Sequence, residues 1–272
     1  MLGSRVSAGR PGPLRDLGRR LLQSAWRFYF AYRPLIVAGM ALYLVGIHVV
    51  ALGLFWQSQW PGLIVWKLGM GSRWVELDRF FKARRNQTER RANAVEPGAV
   101  LFIGDSQLAA LDTSALTDRA VQLAIPGDTA RRVATRLRDY WRMDQAKLIF
   151  LHVGTNDLFF RTPAEMEKPF ARIFRTLPHN VPVMLNAILP VDERLFDAYT
   201  NADIAAANAV MARMCAAHPN CTWVDTSDKL KDATGNLDPR FHERHEGLHL
   251  SIEGNRVWRA SLEPTLAPWR SF

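Results

Sequence analysis

From Pro34 to Trp66 the chain runs for 33 residues without an Asp, Glu, Lys or Arg. A soluble core helix rarely continues that far without a charge, because one of its faces must meet water. The segment PLIVAGMALYLVGIHVVALGLFW, residues 34–56, would form about 34 Å of helix at ~1.5 Å per residue, enough to cross the apolar core of a bilayer. Tyr29, Tyr32, Trp56 and Trp60 flank it as interfacial aromatics do. The basic region ahead of it is too long for an ordinary signal peptide, and no small-residue cleavage site follows closely. The segment therefore reads as an uncleaved signal anchor. It divides the chain into a cytoplasmic basic tail (1–33), the anchor (34–56), a juxtamembrane connector (57–97) and a folded domain (98–272).

The formal net charge of +9 invites a nucleic-acid partner. Its location argues against one. Residues 1–91 carry 15 Lys and Arg against 4 Asp and Glu, whereas the other 181 residues carry 20 against 22. A basic excess confined to the surroundings of an apolar span points to membrane topology and anionic lipid headgroups. Arg15, Arg19, Arg20, Arg27 and Arg33 precede the span closely, and only Lys67 and Arg73 follow within about 20 residues, the range over which such charges orient a helix. That asymmetry places the N-terminus inside a cytoplasmic (inner) membrane, crossed once, with the large domain on the extracytoplasmic, periplasmic side. The later cluster Lys82, Arg84, Arg85, Arg90 and Arg91 pulls the other way from further off. Cys215 and Cys221 are the only cysteines. An exported domain could close them into a small disulfide loop and a cytosolic one would leave them as thiols, so both states stay open.

Beyond the connector, whose helical run WVELDRFFKARRNQTERRANAV stops at Glu96-Pro97-Gly98, strands and helices alternate. Short apolar runs bounded by turn residues predict strands at 99–104, 121–125, 147–154, 181–189 and 222–226. Helical patterns predict helices over 129–143, 164–177, 198–218 and 251–266, the last with Ser251 as N-cap. In the first of these, Val133, Leu137, Tyr140 and Trp141 form the apolar side, and Trp141, Trp223 and Trp258 are assigned to the core. Alternation of this regularity predicts an open parallel α/β sheet covered by helices on both faces.

In such a sheet a site forms at the carboxyl ends of the strands. Gly104-Asp105-Ser106 follows the first strand, Pro126-Gly127-Asp128 the second and Gly154-Thr155-Asn156-Asp157 the third, so all three share one rim. Ser106 is a weak nucleophile until a base takes its proton. His249, in the loop before the last helix, is the candidate base, with His242 and His245 nearby in sequence. Glu246 could hold the other imidazole nitrogen, as could Asp238, or a backbone carbonyl could take that place. The Ser106 and Gly127 backbone N–H groups and the Asn156 amide could bind an oxyanion, or Gly127 could simply close a Pro-Gly turn. Asp105 and Asp157 read as loop-building residues.

These blocks resemble those of SGNH hydrolases, the GDSL-type esterases and lipases, over about residues 98–272. The resemblance implies a three-layer, flavodoxin-like parallel sheet, preceded here by one transmembrane helix. It implies Ser106 as nucleophile, Gly127 (in AIPGDT) and Asn156 (in GTND) as oxyanion-hole residues, and His249 (in GLHLSIEG) as base. Two departures stand out. Gln107 replaces the Leu of the GDSL name, a minor change, and Glu246 stands where the family pattern Asp-x-x-His has Asp. The implied activity is hydrolysis of an oxygen ester, with an O-acylated polysaccharide as the foremost substrate class and lipid esters next. An O-acetyltransferase using the same residues, or a catalytically silent glycan-binding domain, are the alternatives. No metal or organic cofactor is implied, since His152, His179, His218 and the cysteines lack ligand spacing. The partners are then the ester substrate and membrane lipid through residues 34–56, with no nucleic acid.

Overall fold

A computed structural model of the protein describes residues 13–57 and 72–270. Residues 1–12, residues 58–71 of the connector, including Trp60, and residues 271–272 lie outside the described residues. The chain forms two compact units, residues 1–77 and 78–272.

In the first unit, helix α1 spans Pro13–Gln57. It contains a 34-residue stretch, Arg20–Gly53, within which an 18-residue window has a mean hydropathy of 2.4 and none of its residues buried. Among the described residues, one helix is thus long and apolar enough to cross a membrane. It begins well before residue 34, so a good part of the basic tail is helical rather than irregular. Tyr29 and Tyr32 lie on it, with their rings exposed.

The second unit begins at Asp78 rather than at 98, because the end of the connector packs on the sheet body. Helix α2 (Ser72–Asn93) ends with Ala92 buried in the main core, followed by buried Val95. Asn93 Nδ2 donates to the Asp139 carbonyl at 2.9 Å and its Oδ1 accepts the Trp141 N–H at 3.0 Å.

Five parallel strands follow: β1 (Val100–Gly104), β2 (Ala120–Gln122), β3 (Leu148–His152), β4 (Val183–Asn186) and β5 (Cys221–Val224), in the order β2-β1-β3-β4-β5. All five fall inside the segments predicted from sequence or overlap them, and each is shorter than its apolar run. Alternate residues feed two cores. Leu101, Ile103, Ile149 and Leu151 face one, and Val100, Phe102, Leu148 and Phe150 the other. A parallel strand buried on both faces must be apolar at every position, which is why these runs show no alternation.

The first core is covered by α4 (Ala130–Arg136), α5 (Glu167–Thr176) and α6 (Asn201–Ala216) through Val133, Phe170, Ile173, Ala207 and Met211. The second is covered by a short helix α3 (Ser106–Ala110) and by α7 (Ile252–Leu266) through Leu108, Trp258 and Leu262. Ser251 caps α7 by accepting the Gly254 N–H. The result is three layers. Cys215 and Cys221 form a disulfide that joins the end of α6 to the start of β5.

One helix differs from expectation. The segment 129–143 is α-helical only to Arg136, continues as a 3-10 turn over Leu137–Asp139, and leaves helical geometry at Tyr140 with φ −99° and ψ 74°. Tyr140 stays buried, but the break turns Trp141 outward, where it is 71% exposed. Trp258 is buried as expected and Trp223 is partly buried against the first core.

Candidate active site

Ser106 opens α3 immediately after β1. Asp105 is the N-cap of this helix, its carboxylate accepting the Gln107 N–H at 3.1 Å. Ser106 Oγ lies 3.0 Å from His249 Nε2 across 143 residues of sequence. The other ring nitrogen, Nδ1, is hydrogen-bonded to Glu246 Oε1. A hydroxyl, an imidazole and a carboxylate in series can pass a proton from the serine and steady the resulting imidazolium.

Two of the rivals, Asp238 and His242, are engaged elsewhere. Asp238 binds Arg240 through Nη2 at 2.6 Å and through Nε and the backbone N–H at 3.0 Å each, which holds its carboxyl well below the usual range. Buried His242 is paired with Asp192 through Nε2 at 3.1 Å. His245 takes a positive φ of 64° at the start of the turn that delivers Glu246. Gly247 completes that turn at φ 69°, and a Cβ there would meet the Asp192 carbonyl oxygen at 2.8 Å. Asp192 N–H in turn donates to the Gly247 carbonyl at 2.8 Å. The loop after β4 therefore fixes the turn that carries the acid. Nothing in the residues of this loop pointed to that part.

Gln107, read from sequence as a minor change, has a defined task. Its buried side chain donates from Nε2 to the Leu248 carbonyl at 2.7 Å and accepts the Leu250 N–H at Oε1, at 3.4 Å. It grips the backbone on both sides of His249. A leucine could make neither bond.

On the opposite side, Gly127 follows β2 and Asn156 follows β3. Gly127 adopts φ 79°, a region where a Cβ is costly. Asn156 Nδ2 donates to the Asp128 carbonyl at 3.0 Å. An amide has two N–H donors, and this bond uses one of them. Buried Arg136 donates Nε to Asp128 Oδ2 at 2.7 Å, Nη1 to Tyr140 at 2.6 Å and Nη2 to the Gly104 carbonyl at 3.4 Å. Burial pushes the Asp128 carboxyl up, and Arg136 opposes that push. Asp157 accepts the Ala130 N–H at 2.7 Å and Arg161 Nη1 at 3.0 Å, tying the Asn156 loop to the start of α4. Both loop aspartates are strained toward neutrality: burial raises Asp105 to about 7 and Asp157 to about 6. His152, which ends β3 against the Trp258 ring at 4.9 Å, is pushed by burial down to about 3 and is neutral.

The structure thus brings all five sequence-predicted site residues to one sheet rim: Ser106, His249 and Glu246 as one connected chain, and Gly127 and Asn156 on the loops after β2 and β3, the strands that flank β1. Sequence reasoning missed Gln107 and Arg136 as partners. The only local signal was an arginine on the buried side of an amphipathic helix.

No curated protein matches the chain. Among solved structures, one from Streptococcus pneumonia described as a platelet activating factor shares 24% identity at a TM-score of 0.61, over 70% of this chain and 96% of that one. A GDSL-like lipase from Bacteroides thetaiotaomicron shares 16% identity at a TM-score of 0.54, over 68% and 97%. The C-terminal catalytic domain of a Streptococcus pneumoniae peptidoglycan O-acetyltransferase shares 16% at a TM-score of 0.51, over 65% and 99%. At these identities the likeness is one of fold. The model of the GDSL-like lipase/acylhydrolase family matches residues 102–257, more than half of the sequence, and spans every block described above. The chain is therefore an acylhydrolase-type esterase belonging to the GDSL-like lipase/acylhydrolase family.

Proposed function

We propose that the protein is a membrane-anchored serine esterase that removes an acyl group, foremost an acetyl group, from an O-acylated carbohydrate. The observation that carries this reading is the Ser106–His249–Glu246 chain, with Ser106 Oγ 3.0 Å from His249 Nε2. In the first half-reaction Ser106 Oγ attacks the ester carbonyl carbon while His249 Nε2 takes the hydroxyl proton. The negative charge on the carbonyl oxygen meets the Ser106 and Gly127 N–H groups and the free Asn156 N–H. Collapse breaks the bond to the alcohol oxygen, which leaves with the proton from His249. Water then attacks the acyl-serine, His249 again accepts and returns the proton, and the carboxylic acid departs. Glu246 stabilises the imidazolium in both halves.

Topology supports the carbohydrate. Arginines crowd the N-terminal side of the apolar helix, and the disulfide Cys215–Cys221 suits an oxidising compartment, which together favour an extracytoplasmic domain facing envelope polysaccharide. A second reading, acyl transfer to a sugar hydroxyl, has its own support. The His249 and Glu246 side chains are 37% and 41% exposed, so an acceptor larger than water can reach the acyl-serine. A peptidoglycan O-acetyltransferase domain also shares the fold.

The test is turnover of p-nitrophenyl acetate and of an acetylated polysaccharide by the full chain in detergent, beside Ser106→Ala. Acetate release that disappears in the variant is expected. A folded wild-type protein without acetate release would refute the hydrolase, and acetate that moves to an added glycan instead would establish the transferase.

A further inference from the structure

The Gly127 loop is held from within by Arg136 and Asn156. From without it is held by a residue ahead of the family match at 102–257. Phe81, half-buried on α2 and part of the compact unit 78–272, lays its ring on Gly127 so closely that a Cβ there would stand 2.9 Å from Phe81 Cζ. The Arg132 guanidinium carbon sits 4.0 Å from the centroid of the same ring. Arg132 Nη1 also donates to the Gly127 carbonyl at 3.3 Å. Ring, cation and glycine peptide therefore close a three-way contact. The helix beneath it is fixed to the body by Arg85 to Asp139 at 2.6 Å, by the Asn93 bonds and by buried Thr88 and Ala92.

A glycine has no side chain by which its peptide plane can be held, and its φ is permissive. Something outside the residue must fix the direction of its N–H. We propose that Phe81 is a positioning residue for the oxyanion loop: its ring against Gly127, with Arg132 on the Gly127 carbonyl, holds the φ of 79° that sets the direction of the Gly127 N–H, on the preceding peptide, toward the substrate carbonyl oxygen. The juxtamembrane helix is then a working part of the catalytic unit and not a spacer. This rests on the esterase reading above, in which the Gly127 N–H is an oxyanion donor.

The test uses the full chain in detergent with Phe81→Ala and Phe81→Tyr. Displacing one donor without removing it should lower kcat for p-nitrophenyl acetate about tenfold with KM held within about twofold, since the donor acts on the transition state. Phe81→Tyr, which keeps the ring, should restore most of the rate. Hydrogen exchange of the amides at 123–130 should quicken in Phe81→Ala while the strand amides stay protected. Arg132→Met, leaving the ring in place, should move both readouts the same way by less, and it stands in if Phe81→Ala does not fold.

Unchanged kcat, or unchanged exchange in that loop, would overturn the proposal. So would a raised KM and altered acyl-chain preference at constant kcat, which would make Phe81 a substrate-contacting wall. If the wild-type protein proves silent toward esters, the esterase reading fails. Loop exchange alone then decides whether Phe81 holds Gly127.

Discussion

On the side of Ser106 and His249 the site is held by neutral hydrogen bonds from Gln107, whereas on the side of Gly127 and Asn156 it is held by a buried ion pair, Asp128–Arg136. Under the proposed mechanism the chemistry of each side suits its grip. His249 must take and release a proton, and a permanent cation packed beside it would oppose the imidazolium. Gly127 and Asn156 must hold still while negative charge builds on the substrate oxygen, and an arginine with three partners fixes their loop without titrating. The two grips should therefore fail differently.

The largest effect is expected from Arg136→Ala. It leaves the Asp128 carboxylate buried and unpaired, which should cost about 3–5 kcal/mol of stability in chemical denaturation. Arg136→Met combined with Asp128→Asn removes both charges and should cost much less. Equal losses in the two proteins would mean that the pair is not the element holding this side.

Next comes Glu246→Ala, which leaves His249 without its partner at Nδ1. Turnover should fall about 10²-fold with the fold intact, a milder loss than a fully buried acid would give. Near wild-type kcat would remove Glu246 from the chain. Gln107→Leu should cost about 1–3 kcal/mol of stability, because the Leu248 carbonyl loses its buried donor. It should also lower kcat more than Arg136→Met does at equal residual folding, a contrast that steady-state kinetics on both variants will resolve.

The smallest effect concerns pH. Burial raises the Asp105 carboxyl to about 7. The folded protein thus holds a proton that the unfolded chain releases near pH 4, and stability from this group is greatest in acid and lost as pH rises to about 7. Asp157, raised to about 6, acts with the same sign. Asp105→Asn keeps an N-cap acceptor for the Gln107 N–H but not the charge, so its denaturation midpoint should decline less than that of the wild type between pH 5 and 8. Parallel profiles would show Asp105 ionised throughout.

Much of this was legible in the sequence, for a local reason. The strands of a doubly covered parallel sheet are apolar runs that end in turn residues, so VLFIG and LIFLH announced both their conformation and the rim where Ser106 and Asn156 must lie. Glu246 followed from its short spacing to His249 within one loop, and the choice of His249 over His242 and His245 from the family resemblance. What was hidden depends on distant contacts. Nothing near Gln107 says that it will grip a backbone 141 residues away, and nothing near Phe81 says that it will rest on Gly127. The misplacement of Trp141 has a similar origin: helical periodicity continued on paper through a point where Tyr140 leaves the helix.

The most direct measurement is intact mass of the full chain after exposure to a fluorophosphonate, with Ser106→Ala and His249→Ala alongside. One adduct per chain is expected, mapped to Ser106, absent in Ser106→Ala and formed far more slowly in His249→Ala. A folded wild-type protein that gains no mass, or an adduct that persists in Ser106→Ala, would contradict the assignment of Ser106 and His249 as nucleophile and base.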